Sequence, residues 1–302
     1  MRRMTTILVV AAGLGIWSGL AAHPSDEAIE VPFIFAHDEI LVQVRIGQHE
    51  PVMMMLDTNT HPSSINLSFA QSQGFKLREI HGQVTGGGSG QPRVFLTKIE
   101  RTELGSLLAR DLEAVAIDLT KVQNRLGTQV QGVLGYNFLA GRVLQIDYQA
   151  NVLRFYRSSS ALPIAKNGQA VFPFRLGEDG EIIIMEGVVI NGQNAKATVD
   201  TGANGTFALT PAAVESLGLT EVASHGQAGT STGYKGTVQN TRGKVDRIAL
   251  GPIEIASPEV VFWGKGAGLD RRPWELRIGN AFLKDYILTL DYQNKRIALQ
   301  KP

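Results

Sequence analysis

The chain has 302 residues, enough for about two globular units of roughly 150 residues each and for a sizeable buried core. Lys and Arg number 29 against 28 Asp and Glu, a formal charge of +1, which argues against the strongly basic balance of a nucleic-acid binder. Hydrophobic residues at 43% and charged residues at 19% exclude a disordered chain, and 33 glycines, about 11% where about 7% is usual, point to turns, hairpins and many short strands.

Met1 to Ala22 opens with Arg2-Arg3, continues through an apolar stretch from Thr5 to Leu20, and ends on Gly19-Leu20-Ala21-Ala22. This is the pattern of a secretory signal peptide cleaved near Ala21 or Ala22. Gly13, Gly15, Ser18 and Gly19 interrupt a run already short for a bilayer span, so no stable membrane anchor is expected after cleavage. The expected location is the periplasm or the medium. Cysteine is absent, which removes disulfides and thiolate metal sites and leaves packing alone to hold the fold.

Downstream of the leader the chain repeats itself. Val133-Leu134-Gly135-Tyr136-Asn137-Phe138-Leu139 returns as Arg277-Ile278-Gly279-Asn280-Ala281-Phe282-Leu283 at an offset of 144, and Ile146-Asp147-Tyr148-Gln149 returns at the same offset as Leu290-Asp291-Tyr292-Gln293. His81-Gly82-Gln83 and His225-Gly226-Gln227 share it too, while Leu56-Asp57-Thr58 and Val199-Asp200-Thr201 are 143 apart. The reading is a tandem duplication, with lobes at residues 28–157 and 170–302 and a linker at 158–169 that begins Ser158-Ser159-Ser160-Ala161-Leu162-Pro163. Within each copy the pattern is strand-rich: Leu41 to Ile46 alternates, Ile182 to Met185 opens the second half, and Val152 to Tyr156 and Arg296 to Gln300 close the copies. Short helices are expected around Ser68 to Gln73 and Pro211 to Leu217, each followed by a capping Gly. Two similar all-β lobes should leave a cleft at their interface.

An Asp-Thr pair follows an apolar strand in each copy, Met53-Met54-Met55-Leu56-Asp57-Thr58-Asn59-Thr60 and Ala197-Thr198-Val199-Asp200-Thr201-Gly202-Ala203-Asn204. The distances from Asp57 to Gly135 and from Asp200 to Gly279 are 78 and 79 residues. Both carboxylates therefore fall at equivalent positions, and at a pseudo-twofold axis they would meet.

On these residues the chain resembles the aspartic proteases, specifically the bacterial retropepsin-like group whose single chain contains two lobes. The resemblance rests on Asp57-Thr58, on Asp200-Thr201-Gly202-Ala203, on the apolar-apolar-Gly elements ending at Gly135 and Gly279, and on Asp147-Tyr148 and Asp291-Tyr292. It implies an all-β, two-lobed acid-protease fold and an endopeptidase for peptide or protein substrates, needing neither cofactor nor metal. Asp57 and Asp200 would be the catalytic pair, Thr58 and Thr201 would tie their loops together by hydrogen bonds, and Gly202, Gly135 and Gly279 would support the loops. Two crowded carboxylates share one proton, so one serves as base toward a water and the other as acid toward the peptide carbonyl.

Two positions depart from the pattern. Asn59 stands where Gly is expected and backbone approaches carboxylate closely, although Asn tolerates left-handed conformations; its amide would crowd or hydrogen-bond the dyad. Arg277 stands where an apolar residue is expected. The alternative function is therefore an impaired relative that binds peptides without cutting them.

Thr85-Gly86-Gly87-Gly88-Ser89-Gly90 and the segment Gly229 to Gly236, with Gly233 and Tyr234, lie 29 residues beyond each Asp. Retropepsin-like lobes carry a mobile hairpin flap there, and glycine also suits an ordinary hairpin tip. Neither segment has the Gly-Lys-Ser/Thr ending of a phosphate loop, since Lys235 precedes Gly236. No two histidines have helical zinc-ligand spacing; His81 and His225 read as repeat-related structural residues, and His61 lies near enough to Asp57 to perturb it.

Overall fold

The computed structural model describes residues 28–80, 88, 90–162, 169–178, 180, 182–233, 235–266, 268–270 and 272–302; the leader, Met1 to Ala22, lies outside them. The two repeats share one order of seven strands. In the first it runs Glu39–Ile46, Val52–Leu56, Gly132–Leu134, Ser63–Asn66, Leu107–Ile117, Val94–Leu104, Arg78–Ile80. In the second it runs Ile183–Ile190, Gln193–Asp200, Leu276–Gly279, Phe207–Leu209, Glu259–Trp263, Gly236–Lys244, Gln227–Gly233. The strand leading into each Asp pairs in parallel with the strand leading into the conserved-spacing Gly: Leu56 opposite Leu134, and Asp200 opposite Gly279.

The two copies meet in an antiparallel sheet of six strands ordered Ile29–Pro32, Val152–Tyr156, Val143–Asp147, Ile287–Asp291, Arg296–Gln300 and Gln169–Leu176. At its centre Val143–Asp147 pairs with Ile287–Asp291, and Gln145 faces Thr289. These two residues are related by the 144 offset, so the pseudo-twofold axis passes between them, and Gln145 Nε2 donates to Thr289 Oγ1 at 3.3 Å. Leu144, Ile146, Leu288 and Leu290 are fully buried in this sheet, giving it an apolar grip on both lobes. The closing tyrosines then reach across the axis: Tyr148 Oη donates to Asn280 Oδ1 at 2.8 Å, and Tyr292 packs edge-on against Tyr136, the repeat equivalent of Asn280.

The expected helices form at Leu67–Ser72 and Pro211–Ser216, each followed by a glycine with positive φ, Gly74 at 70° and Gly218 at 68°, as a left-handed C-terminal cap requires. Thr210 caps the second by accepting from Ala213 N–H at 3.2 Å. The expectation of helix at those two places alone is incomplete. Turns of helix also occur at Thr120–Leu126, Tyr136–Leu139, Thr220–Ser224 and Asn280–Leu283. The first of these buries Val122 and Leu126, four residues apart on one face, and ends at left-handed Gly127. No helix among the described residues is long and apolar enough to cross a membrane.

Candidate active site

Both Asp-Thr loops leave a buried strand and arrive at the axis from opposite lobes. There Thr58 and Thr201 form a crossed set of four hydrogen bonds. Thr58 N–H donates to Thr201 Oγ1 at 3.1 Å and Thr201 N–H to Thr58 Oγ1 at 3.1 Å. The two hydroxyls donate onward to the opposite strand ends, Thr58 to Val199 C=O at 2.8 Å and Thr201 to Leu56 C=O at 2.9 Å. Both threonines are fully buried, so breaking any of these bonds leaves a polar atom without water, at about 1–3 kcal/mol.

The glycines brace the loops by leaving room for backbone. A β-carbon at Gly135 would overlap the Thr60 carbonyl, and one at Gly279 would overlap the Gly205 carbonyl. In their place Tyr136 N–H bonds Thr60 C=O at 2.7 Å and Asn280 N–H bonds Ala203 C=O at 2.8 Å. At Gly202 the neighbour is the dyad itself, because a β-carbon there would collide with the Asp57 carboxyl group.

Asp57 and Asp200 thus lie together on the floor of a cavity of about 430 Å³ between the lobes. Each accepts from the backbone two residues on: Asn59 N–H to Asp57 Oδ1 at 2.7 Å, Gly202 N–H to Asp200 Oδ1 at 3.0 Å. Their outer oxygens differ. Thr60 Oγ1 donates to Asp57 Oδ2 at 2.5 Å, whereas the repeat equivalent, Ala203, has no hydroxyl. Asp200 Oδ2 instead has Asn59 Nδ2 at 3.5 Å and Arg277 Nη1 at 3.7 Å.

Asp57 keeps some surface toward the cleft, yet protein packs densely around its carboxyl group. Burial, and then the charge of Asp200, push it up from 3.8 to about 7, against the pull of the Thr60 and Asn59 donors. The two groups titrate as a pair.

The departures take concrete form here. Asn59 has no positive φ, so the left-handed strain expected of a glycine site is absent, and its side chain lies over Asp200 with Oδ1 buried and unpartnered among the described residues. Arg277 lies against Asp200, and its guanidinium stacks over Trp263 at 5.2 Å. His61 lines the same cavity and packs on Tyr136. His225 ends the Thr220–Ser224 helix, and His81 lies outside the described residues.

Of the glycine-rich tips, Gly86, Gly87 and Tyr234 lie outside the described residues. Gly88 and Gly90 press on Lys235, with Gly90 N–H donating to Lys235 C=O at 2.8 Å. The two tips therefore touch, and Thr230 to Gly233 line the cavity. The Gln227–Gly233 strand also reaches the Thr120–Leu126 helix of the other lobe.

Among the cavity residues that sequence reasoning missed are Thr60, Glu39 and Arg125. Thr60 follows Asp57 by three and could have been found from that spacing. Glu39 is fully buried at a strand start and pairs with Arg125 at 2.8 Å; burial pushes it up to about 8 despite that partner. Nothing in the local pattern marks either member.

The chain matches the family described as Aspartyl protease over residues 42–138 and 187–272, more than half its length. The chain belongs to the aspartyl protease family. Its fold is the all-β, two-lobed retropepsin-like arrangement expected from the repeat. Among solved structures it is similar to the crystal structure of Basic 7S globulin from soybean, at 11% identity and a TM-score of 0.49, over 91% of this chain and 95% of that one. No curated protein matches it.

The raised Asp57 carboxyl sets a pH-dependent cost of folding. Below about pH 4 Asp57 is protonated in both folded and unfolded chains; as pH rises toward 7 only the unfolded chain releases the proton, which favours unfolding. Asp57→Asn removes that cost. Its unfolding free energy relative to wild type should climb between about pH 4 and pH 7 and be flat above, as read from urea midpoints across pH; a difference independent of pH would refute the shift.

Proposed function

We propose that this family member is an aspartic endopeptidase that cleaves peptide bonds with Asp57 and Asp200 as one proton-sharing unit. The observation that carries the reading is the pairing, on the cleft floor, of two carboxylates from separate lobes, one of them pushed up by burial and by the charge of the other. Asp57, protonated, is suited to donate to the carbonyl oxygen of a bound peptide. Asp200 is then the member left to take a proton from the attacking water, after which the roles reverse for departure of the amine. The overlapping tips above the cleft would exclude bulk water, raising the strength of every interaction inside. The leader pattern of Met1 to Ala22 supports work outside the cytoplasm, in the periplasm or the medium.

Asp57→Asn and Asp200→Asn should each lower kcat/KM by at least about a thousandfold while both variants stay folded, because neither carboxylate can play both parts. Wild-type kcat/KM should fall above about pH 7, where the pair loses its proton. Near wild-type turnover in either variant, measured on a mixed peptide library, would sink the two-carboxylate mechanism.

The second reading, a peptide binder that does not cut, is favoured by one observation, the Asn59 amide lying over Asp200. If that side chain only tunes the pair, Asn59→Gly should retain activity and shift the pH profile of turnover, since a neighbouring donor changes which charge state of the pair is favoured. A wild type inert on every peptide, switched on by Asn59→Gly, would establish the binder instead.

A further inference from the structure

The duplicated fold supplies its own control for each cleft residue, since every position has an equivalent in the other lobe. Arg277 corresponds to Val133 at the 144 offset, and both line the cavity beside the dyad. On the Val133 side the wall is apolar at Met55, Ile117 and Val122, with the Glu39–Arg125 ion pair beside them. On the other side the same wall position carries a guanidinium.

Its orientation follows from the strand. Leu276 and Ile278 are fully buried in the core of the second lobe, so the alternation of a strand turns Arg277 to the opposite, cleft-facing side. Trp263 holds the guanidinium plane from below at 5.2 Å. The nearest acidic oxygen, Asp200 Oδ2, is 3.7 Å away, beyond hydrogen-bond distance. Among the described residues no hydrogen bond uses the N–H groups of Arg277, and its side chain remains 21% exposed. A fixed guanidinium with open donors, walling a peptide-sized cleft, is built for a planar oxyanion.

From this geometry we infer that Arg277 makes one of the two pockets flanking the dyad selective for a substrate carboxylate, so that the cleft takes an apolar side chain on one side of the central bond and an acidic side chain on the other. The inference rests on the reading of the cleft as a peptide site, and deepens it by naming the substrate class. Catalysis itself is not needed for it: a chain that binds without cutting would show the same preference.

The test is equilibrium binding at pH 6.5 to the full chain carrying Asp57→Asn, which leaves the peptide intact. Octapeptides of Ala and Ser carry one central pair: Leu-Glu, Glu-Leu, Leu-Gln, Gln-Leu or Leu-Leu. One of the two Glu peptides, in the order set by chain direction in the cleft, should bind at least about tenfold more tightly than its Gln counterpart, the gain of a charge-assisted contact. Adding Arg277→Val, the residue of the equivalent wall, should bring that ratio to about one while Leu-Leu binding persists. Arg277→Gln, which keeps a long side chain over Trp263, should lose the preference likewise and guards against misfolding of the valine variant. A ratio near one before Arg277 is changed, a ratio that survives both substitutions, or no binding of either Glu peptide would overturn the inference. Glu preference in binding without wild-type cleavage of the same peptides would instead remove the peptidase reading and leave this one standing.

Discussion

Everything at the centre of this molecule depends on the crossed threonines. Thr58 and Thr201 each offer a hydroxyl and a backbone N–H to the other lobe, and together they close four hydrogen bonds in a space without water. The geometry is fixed because each hydroxyl must both accept from a backbone amide and donate to a strand-end carbonyl. Any relative shift of the lobes would strand several buried polar atoms at once. With the threonines fixed, the preceding residue in each loop has nowhere to point but toward its equivalent. The close approach of two acids, costly in itself, is thus imposed by neutral hydrogen bonds and by the apolar sheet that joins the lobes along Val143–Asp147 and Ile287–Asp291.

On that symmetric frame the side chains around the dyad break the symmetry. Thr60 corresponds to Ala203, Asn59 to Gly202 and Val133 to Arg277 in the repeat. Two carboxylates in identical surroundings would share a proton evenly. Here Asp57 accepts a short bond from a hydroxyl, whereas Asp200 lies beside an amide and a guanidinium. On the peptidase reading, a division of labour between acid and base would follow from these differences rather than from the backbone, which treats both loops alike. Gly202 shows the limit of such variation: a side chain there would collide with Asp57, while the equivalent Asn59 finds room above Asp200.

Much of this was legible in the sequence because duplication writes the same constraint twice. The 144-residue offset marks the closing strands and the bracing glycines, a 143-residue one marks the two Asp-Thr loops, and the strand at Val152–Tyr156 falls where alternation places it. What stayed hidden depends on contacts far apart in the chain. Glu39 and Arg125 are separated by 86 residues, and nothing in either local pattern joins them. Arg277 is visible as a departure, but its approach to Asp200 and its place over Trp263 are not. The helix at Thr120–Leu126 carries an apolar spacing, Val122 and Leu126, and a glycine stop at Gly127, signals weaker than those of the two expected helices. At Asn59 the expectation of strained backbone failed because the demand for glycine in such loops is steric on one side only.

The central claim is that the two carboxylates act as one titrating unit holding a proton well above the usual carboxylate range. Potentiometric titration of the folded chain against the Asp57→Asn/Asp200→Asn double variant counts that proton directly. The account predicts that near pH 5.5 wild type carries one proton more than the double variant and releases it around pH 7. Release of both extra protons below about pH 5, as expected of two independent carboxylates, would contradict it.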